Sequence, residues 1–121
     1  HIANANGHPM VFMNHLEMKA NQADHQHVAR SLADLKVDYP SVDTDFSRSR
    51  DIYQALLFCT SEEEALYEGA ESGLSLVRWH EVSMDVVPAG GSKANGIERL
   101  LHHFGVKREN TYAFGDGLND I

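Results

Sequence analysis

The sequence predicts an α/β fold, on three observations. Short apolar runs of strand character alternate with amphipathic stretches of helical period, Gly and Pro punctuate the joins, and 42% of the 121 residues are apolar, enough to bury a core. His1 to Asn6 reads as the last turn or two of a helix closed by Gly7, in the position glycine favours after a helix. Pro9 to Met13 is a short buried strand, and Asp24 to Leu35 an amphipathic helix with Val28, Leu32 and Leu35 on one face. Tyr39 to Arg50, interrupted by Pro40, is a loop or short irregular element.

Ile52 to Cys59 is a near-continuous apolar run of the buried-strand type. Thr60 with Glu63 makes a capping box, and Glu62, Glu63 and Glu64 place negative charge at the positive end of a helix running to about Ala70, before Gly73. Leu74 to Trp79 and Val82 to Val87 alternate as two strands joined through His80 and Glu81, a hairpin. Pro88-Ala89-Gly90-Gly91-Ser92 marks a boundary between residues 1–88 and 89–121. Beyond it, Ser92 caps a helix from Lys93 to Phe104 with Ile97, Leu100, Leu101 and Phe104 at helical spacing, and Gly105 stops it. A loop over Lys107 to Asn110 leads to a strand, Thr111 to Phe114. One helix and one strand are half of a parallel β-α-β unit, with backbone and apolar face uncovered. With a first residue that is His1 rather than Met, and an end at Ile121, the expectation is a piece of a longer chain.

A formal net charge of −8, with Arg48 and Arg50 and then Lys107 and Arg108 as the close basic pairs, argues against a nucleic-acid partner. No apolar run approaches the roughly 20 residues of a membrane helix, and no export signal is visible, so the expectation is no membrane and a cytoplasmic setting. Cys59, the single cysteine, sits among Leu56, Leu57 and Phe58 with no basic neighbour in sequence and reads as a buried small hydrophobe. Of the eight histidines, His25 and His27 are expected to diverge on their helix, and the adjacent His102 and His103 likewise, which speaks against a metal site. Trp79 and Tyr53 read as strand aromatics of the core.

The chemistry gathers at Gly115-Asp116-Gly117-Leu118-Asn119-Asp120, an acidic turn at the exit of the last strand, where ligands of open α/β sheets collect. The turn fits a hard divalent cation, which prefers oxygen ligands, and it equally fits a helix start capped by Asp116 or Asn119. Lys93 favours the first reading, because a cation in the first turn of a helix opposes the dipole unless an anion lies close by.

Taken together, Val86-Val87-Pro88-Ala89-Gly90-Gly91-Ser92-Lys93, the amphipathic helix, and Ala113-Phe114-Gly115-Asp116-Gly117-Leu118-Asn119-Asp120 resemble the haloacid dehalogenase-like superfamily, and within it the Cof-like phosphatases. The resemblance implies an α+β cap of open-faced sheet with helices over 1–88, and a partial Rossmann-like core over 89–121. It implies Mg2+ as cofactor, Asp116 as its ligand, and Lys93 as the catalytic cation paired with the nucleophile and the transferring phosphoryl group. Asn119 would contact substrate phosphate, while Asp120, Gly115 and Gly117 support the turn. Substrates would be small phosphorylated metabolites such as sugar phosphates, hydrolysed through an aspartyl-phosphate.

The family's nucleophile motif, an apolar strand followed by Asp-x-Asp-Gly-Thr or similar, is absent, as is the Ser/Thr of its second motif. Asp43-Thr44-Asp45 has the spacing but follows Tyr39-Pro40-Ser41-Val42, lacks the glycine and falls within the cap. The expectation is therefore a chain without phosphatase activity of its own, binding magnesium weakly and prone to associate through exposed edges. Two other readings fit the same turn: the phosphorylation domain of a P-type ATPase, and a non-catalytic α/β binding module. The sequence upstream of His1 separates them: Asp-x-Asp after an apolar strand marks the phosphatase, Asp-Lys-Thr-Gly-Thr the pump, and neither the module.

Overall fold

The structure, a computed structural model, describes residues 1–69 and 73–115, and the chain divides into two compact units, His1–Pro88 and Ala89–Ile121. In the first unit α1 (Ile2–Ala5) is followed by β1 (Met10–Met13), β2 (Met18–Ala20), α2 (Gln26–Asp34), α3 (Phe46–Ser49), β3 (Gln54–Leu57), a 3-10 turn at Glu64–Tyr67, β4 (Leu74–His80) and β5 (Ser83–Pro88). The strands form one antiparallel sheet in the order β2-β1-β3-β5-β4. Helix and sheet together bear out the α/β class. Among the described residues no helix is long and apolar enough to cross a membrane.

Strand alternation sends side chains to two faces. On one, Val11, Ala20, Leu56 and Phe58 pack with Val28 and Leu32 of α2, flanked by Met13, Met18, Tyr39 and Trp79. On the other, Leu57, Cys59 and Met84 pack with Ala3 of α1 and Tyr67 of the 3-10 turn. A buried hydrogen bond between Ser31 and Ser83, an ion pair of His80 Nε2 with Asp34 Oδ2 at 3.0 Å, and an Arg30–Glu81 pair fasten α2 to the β4–β5 hairpin.

Gly7 takes the left-handed φ of 71° expected after α1. β2, in contrast, is not legible: three residues are too short for a period. Its signal is Asn14, whose Oδ1 accepts the N–H groups of Leu16 (2.8 Å) and Glu17 (2.9 Å) and so turns the chain between Met13 and Met18. The expected apolar face of α2 loses Leu35, which is 54% exposed. Lys36 adopts φ 57° and the N–H of Val37 returns to the Leu32 carbonyl, so α2 closes before Leu35 can turn inward. Within the Tyr39 to Arg50 stretch, one turn of helix forms around buried Phe46, and Val42 bridges to Ala20.

Only half of the expected capping box after β3 forms, the Thr60 N–H and Oγ1 both donating to Glu63 Oε2 at 2.8 and 3.0 Å, and the helix expected to reach Ala70 is corrected to the 3-10 turn, whose N-cap is Glu63. Burial of Tyr67 against Leu57, Cys59 and Met84 fixes that turn, Glu68 is already extended, and Gly69 has a φ of 72°. Ala70 lies outside the described residues. The expected β4–β5 hairpin forms, but its loop is Glu81 and Val82 rather than His80 and Glu81, because His80 still pairs with Ser83.

Candidate functional site

The second unit is built around α4 (Lys93–Phe104), whose bounds match the sequence expectation. Ser92 is the N-cap: its Oγ accepts the Asn95 N–H at 3.1 Å, and Asn95 Nδ2 in turn donates to the Gly90 carbonyl at 2.6 Å. Those two bonds fix the linker against the first helical turn and thereby place Lys93 at the helix start. Gly105, at φ 64°, ends the helix, and the Val106 N–H returns to the Leu101 carbonyl at 2.9 Å. A second 3-10 turn, Arg108–Asn110, follows, with Thr111 Oγ1 donating to the Arg108 carbonyl.

The strand expected over Thr111 to Phe114 is not formed: residues 111–115 run without ladder pairing, and Phe114 is 96% exposed. A strand needs a hydrogen-bonded neighbour. Among the described residues the second unit holds no other strand to supply one.

Lys93, Ile97 and Leu101 from α4, Arg108 from the 3-10 turn, and Ala113 with Phe114 line a groove of about 550 Å³. Its apolar lining carries two cations, Lys93 and Arg108, and one carboxylate, Glu98, a composition compatible with an anion on an organic body. The groove thus brings Lys93 beside the segment leading to the acidic turn. Gly115 is the last described residue of that segment; Asp116, Gly117, Asn119 and Asp120 lie outside the described residues. Arg108 is a groove residue the sequence did not single out. Its signal was its place one short turn beyond Gly105, where the chain doubles back along α4.

The other chemistry-bearing side chains have structural partners. Asp43 Oδ1 accepts the Asp45 N–H at 2.9 Å and Asp45 pairs with Arg48 at 3.5 Å, a turn at the start of α3. Glu64 pairs with Arg78 at 2.9 Å and Glu63 with His8 at 3.3 Å. The Thr60 N–H, partly opposed by burial, holds the Glu63 carboxyl below the usual carboxylate range. Among the described residues no group of three or more His, Cys, Asp or Glu is arranged to hold a metal ion.

Two expectations about individual side chains need correction, and a third gains a partner from the fold. His25 and His27 do not diverge: His25 precedes the helix in extended conformation, and the two rings meet edge to face with centroids 5.1 Å apart. Tyr53 is not a core aromatic, because it lies just before β3, exposed, beside His15. Cys59 is buried as expected but does have a basic neighbour, brought from β4: Arg78 Nη2 lies 3.9 Å from its sulfur. Burial nonetheless outweighs the guanidinium and pushes the thiol up, so it stays a protonated core group.

The whole of residues 1–121 matches the model of the haloacid dehalogenase-like hydrolase family. YkrA of Bacillus subtilis, named as a candidate phosphatase, is 51% identical over 114 residues, which cover 94% of this chain and 44% of that protein. A crystal structure of a hypothetical protein from Geobacillus kaustophilus is similar at 51% identity and a TM-score of 0.89, covering 98% of this chain and 46% of that one. The structure of the subclass IIB sugar phosphatase BT4131 is similar at 30% identity and a TM-score of 0.73, again over 98% of this chain and 46% of that one. The chain therefore spans about half the length of the relatives it matches.

Proposed function

The chain belongs to the haloacid dehalogenase-like hydrolase family, and from that premise we propose that it carries the cap, residues 1–88, and part of the catalytic core, residues 89–121, of a magnesium-dependent phosphatase. The observation that supports this reading is the groove of the second unit, where Lys93 at the start of α4 and Phe114, two residues before Asp116, share one wall-to-wall space.

Lys93 stands at the positive end of its helix, so an arriving phosphoryl group meets a side-chain cation and the dipole of α4 together. Asn119 would donate its amide to a phosphate oxygen. Asp116 would offer a hard carboxylate oxygen to Mg2+, with Asp120, Gly115 and Gly117 shaping the turn; that donor chemistry fits the ion. When bound, magnesium supplies neutralisation of charge on the transferring phosphoryl group. The substrate is a small phosphorylated metabolite, a sugar phosphate being the instance that the name of BT4131 supports. The nucleophilic aspartate, which would pass through an aspartyl-phosphate, is not in these 121 residues, so this chain by itself is inactive. A small acidic phosphatase of this kind works in the cytoplasm on small molecules rather than nucleic acid, with association through open edges as its route to oligomers.

The test uses two proteins. The 121-residue chain with magnesium and p-nitrophenyl phosphate gives no turnover above a Lys93→Ala control. A hybrid in which the chain replaces the matching half of YkrA hydrolyses the same ester, and Lys93→Ala in that hybrid lowers kcat by about a hundredfold or more, the scale of losing one preorganised charge. Turnover by the chain alone, or a hybrid indifferent to Lys93, overturns the assignment.

A further inference from the structure

The first turn of α2 is held by a histidine where the chemistry of helix starts favours an oxygen. His25 is the N-cap, and its ring Nδ1 accepts the N–H of His27 at 3.2 Å. A Ser, Thr, Asn or Asp oxygen in this position remains an acceptor throughout the neutral range, whereas an imidazole nitrogen accepts only while unprotonated. On protonation Nδ1 becomes a donor facing a donor, and a cation appears at the positive end of the helix.

The surroundings raise the stakes of that proton. His27 lies across from the ring on α2 itself, His8 acts on it from the segment before β1, and Glu63 from the turn after β3. From the loop beyond α2, the Tyr39 hydroxyl accepts His25's own N–H at 3.2 Å and donates to the Gln22 carbonyl at 2.8 Å. Two imidazoles therefore oppose a charge on His25, and the single carboxylate that favours it, Glu63, is already engaged by Thr60 and His8. Burial first, and the two imidazoles after it, hold His25 below the usual imidazole range. A histidine so depressed contributes stability that is complete above its unfolded value of about 6.5 and is lost as pH falls through the lower folded value.

We propose that His25 is a proton-operated latch on the first unit: neutral, it closes the first turn of α2, and protonated, it releases that turn together with the Gln22–His27 segment while the five-stranded sheet stays folded. The release is local because Leu32, one turn further along α2, and Val28, directly after His27, are buried among Val11, Leu56 and Phe58 and keep the body of the helix seated on the sheet.

The experiment is amide hydrogen exchange by NMR on the whole 121-residue chain at pH 7.5 and pH 5, expressed as protection factors so that intrinsic exchange divides out. The His27 amide is expected to lose protection about fivefold on acidification, the ratio matching the usual worth of an N-cap. The amides of Val11 and Leu56 are expected to hold theirs. H25N keeps a cap oxygen that does not titrate, so its His27 protection stays level between the two pH values; H25D serves the same purpose if H25N folds poorly. H25A is low at both. A wild-type chain with level protection, or an H25N or H25D variant that loses as much as wild type, overturns the latch.

Discussion

Arg78 offers the most searching stability test. Its guanidinium reaches from β4 to Glu64 Oε2 at 2.9 Å, and to the carbonyls of Cys59 at 3.1 Å, Thr60 at 3.2 Å, Glu81 at 3.1 Å and His80 at 3.3 Å. Glu64, Glu81 and His80 stand at the edge of solvent, and water replaces much of what they lose. The Cys59 carbonyl, just beyond β3, has no such substitute, since Cys59 has no accessible surface, and Thr60 beside it is half-buried. At about 1.5 kcal/mol for each hydrogen bond to a charged donor, Arg78→Met costs roughly 3 kcal/mol. Arg78→Lys recovers no more than about half of that, because an ammonium presents one point of charge where the fork presents several donors. Urea unfolding followed by the fluorescence of Trp79, the only tryptophan, reads the first unit directly. The midpoint shifts with the slope unchanged. A loss below about 1 kcal/mol for Arg78→Met, or full recovery by lysine, refutes the argument that these unshared carbonyls set the cost.

Two further outcomes follow from backbone and burial. Lys36 sits in the left-handed region at φ 57° as the residue that closes α2, so Lys36→Gly stabilises the first unit by about 1 kcal/mol, read as a raised urea midpoint; no gain sinks the strain argument. Burial first, then Cys59 and Glu63, push the Tyr67 phenol up to about 12. A raised phenol contributes stability that is complete below the unfolded value of about 10 and is lost as pH rises towards 12. An ultraviolet titration should therefore show one of the four tyrosines ionising last, and Tyr67→Phe should remove that step and part of the alkaline destabilisation.

What was legible in the sequence was what local chemistry dictates. Ser92 with Gly105 bracketed α4 to the residue, and the alternation through Leu74 to Val87 gave the hairpin, because caps and period-two patterns act over a few residues. β2 and the end of α2 escaped for a related reason: three residues carry no period, and Lys36 does the work that glycine ordinarily signals. The partners of His25, Cys59 and Tyr67 come from elements far away in sequence, so only the fold could bring Arg78 to the sulfur or Tyr39 to the helix start. In the candidate site, the place of Lys93 at the start of α4 was legible from Ser92 and the helical spacing, the Gly-Asp motif beyond Gly115 falls outside the described residues, and Arg108 on the groove required the doubling-back after Gly105. The Thr111–Phe114 expectation failed because apolar character favours a strand without providing its partner.

The strand order carries a consequence for synthesis. β5, the last strand of the first unit, lies inside the sheet between β3 and β4, and the two edges of the finished sheet belong to β2 and β4. A chain emerging residue by residue therefore shows the bare edge of Gln54–Leu57, continuous with apolar Phe58, until Pro88 is free and the hairpin swings in. During that interval Ala55-Leu56-Leu57-Phe58 is the stretch open to stray pairing, and fast closure at Glu81 and Val82 is what shortens its exposure.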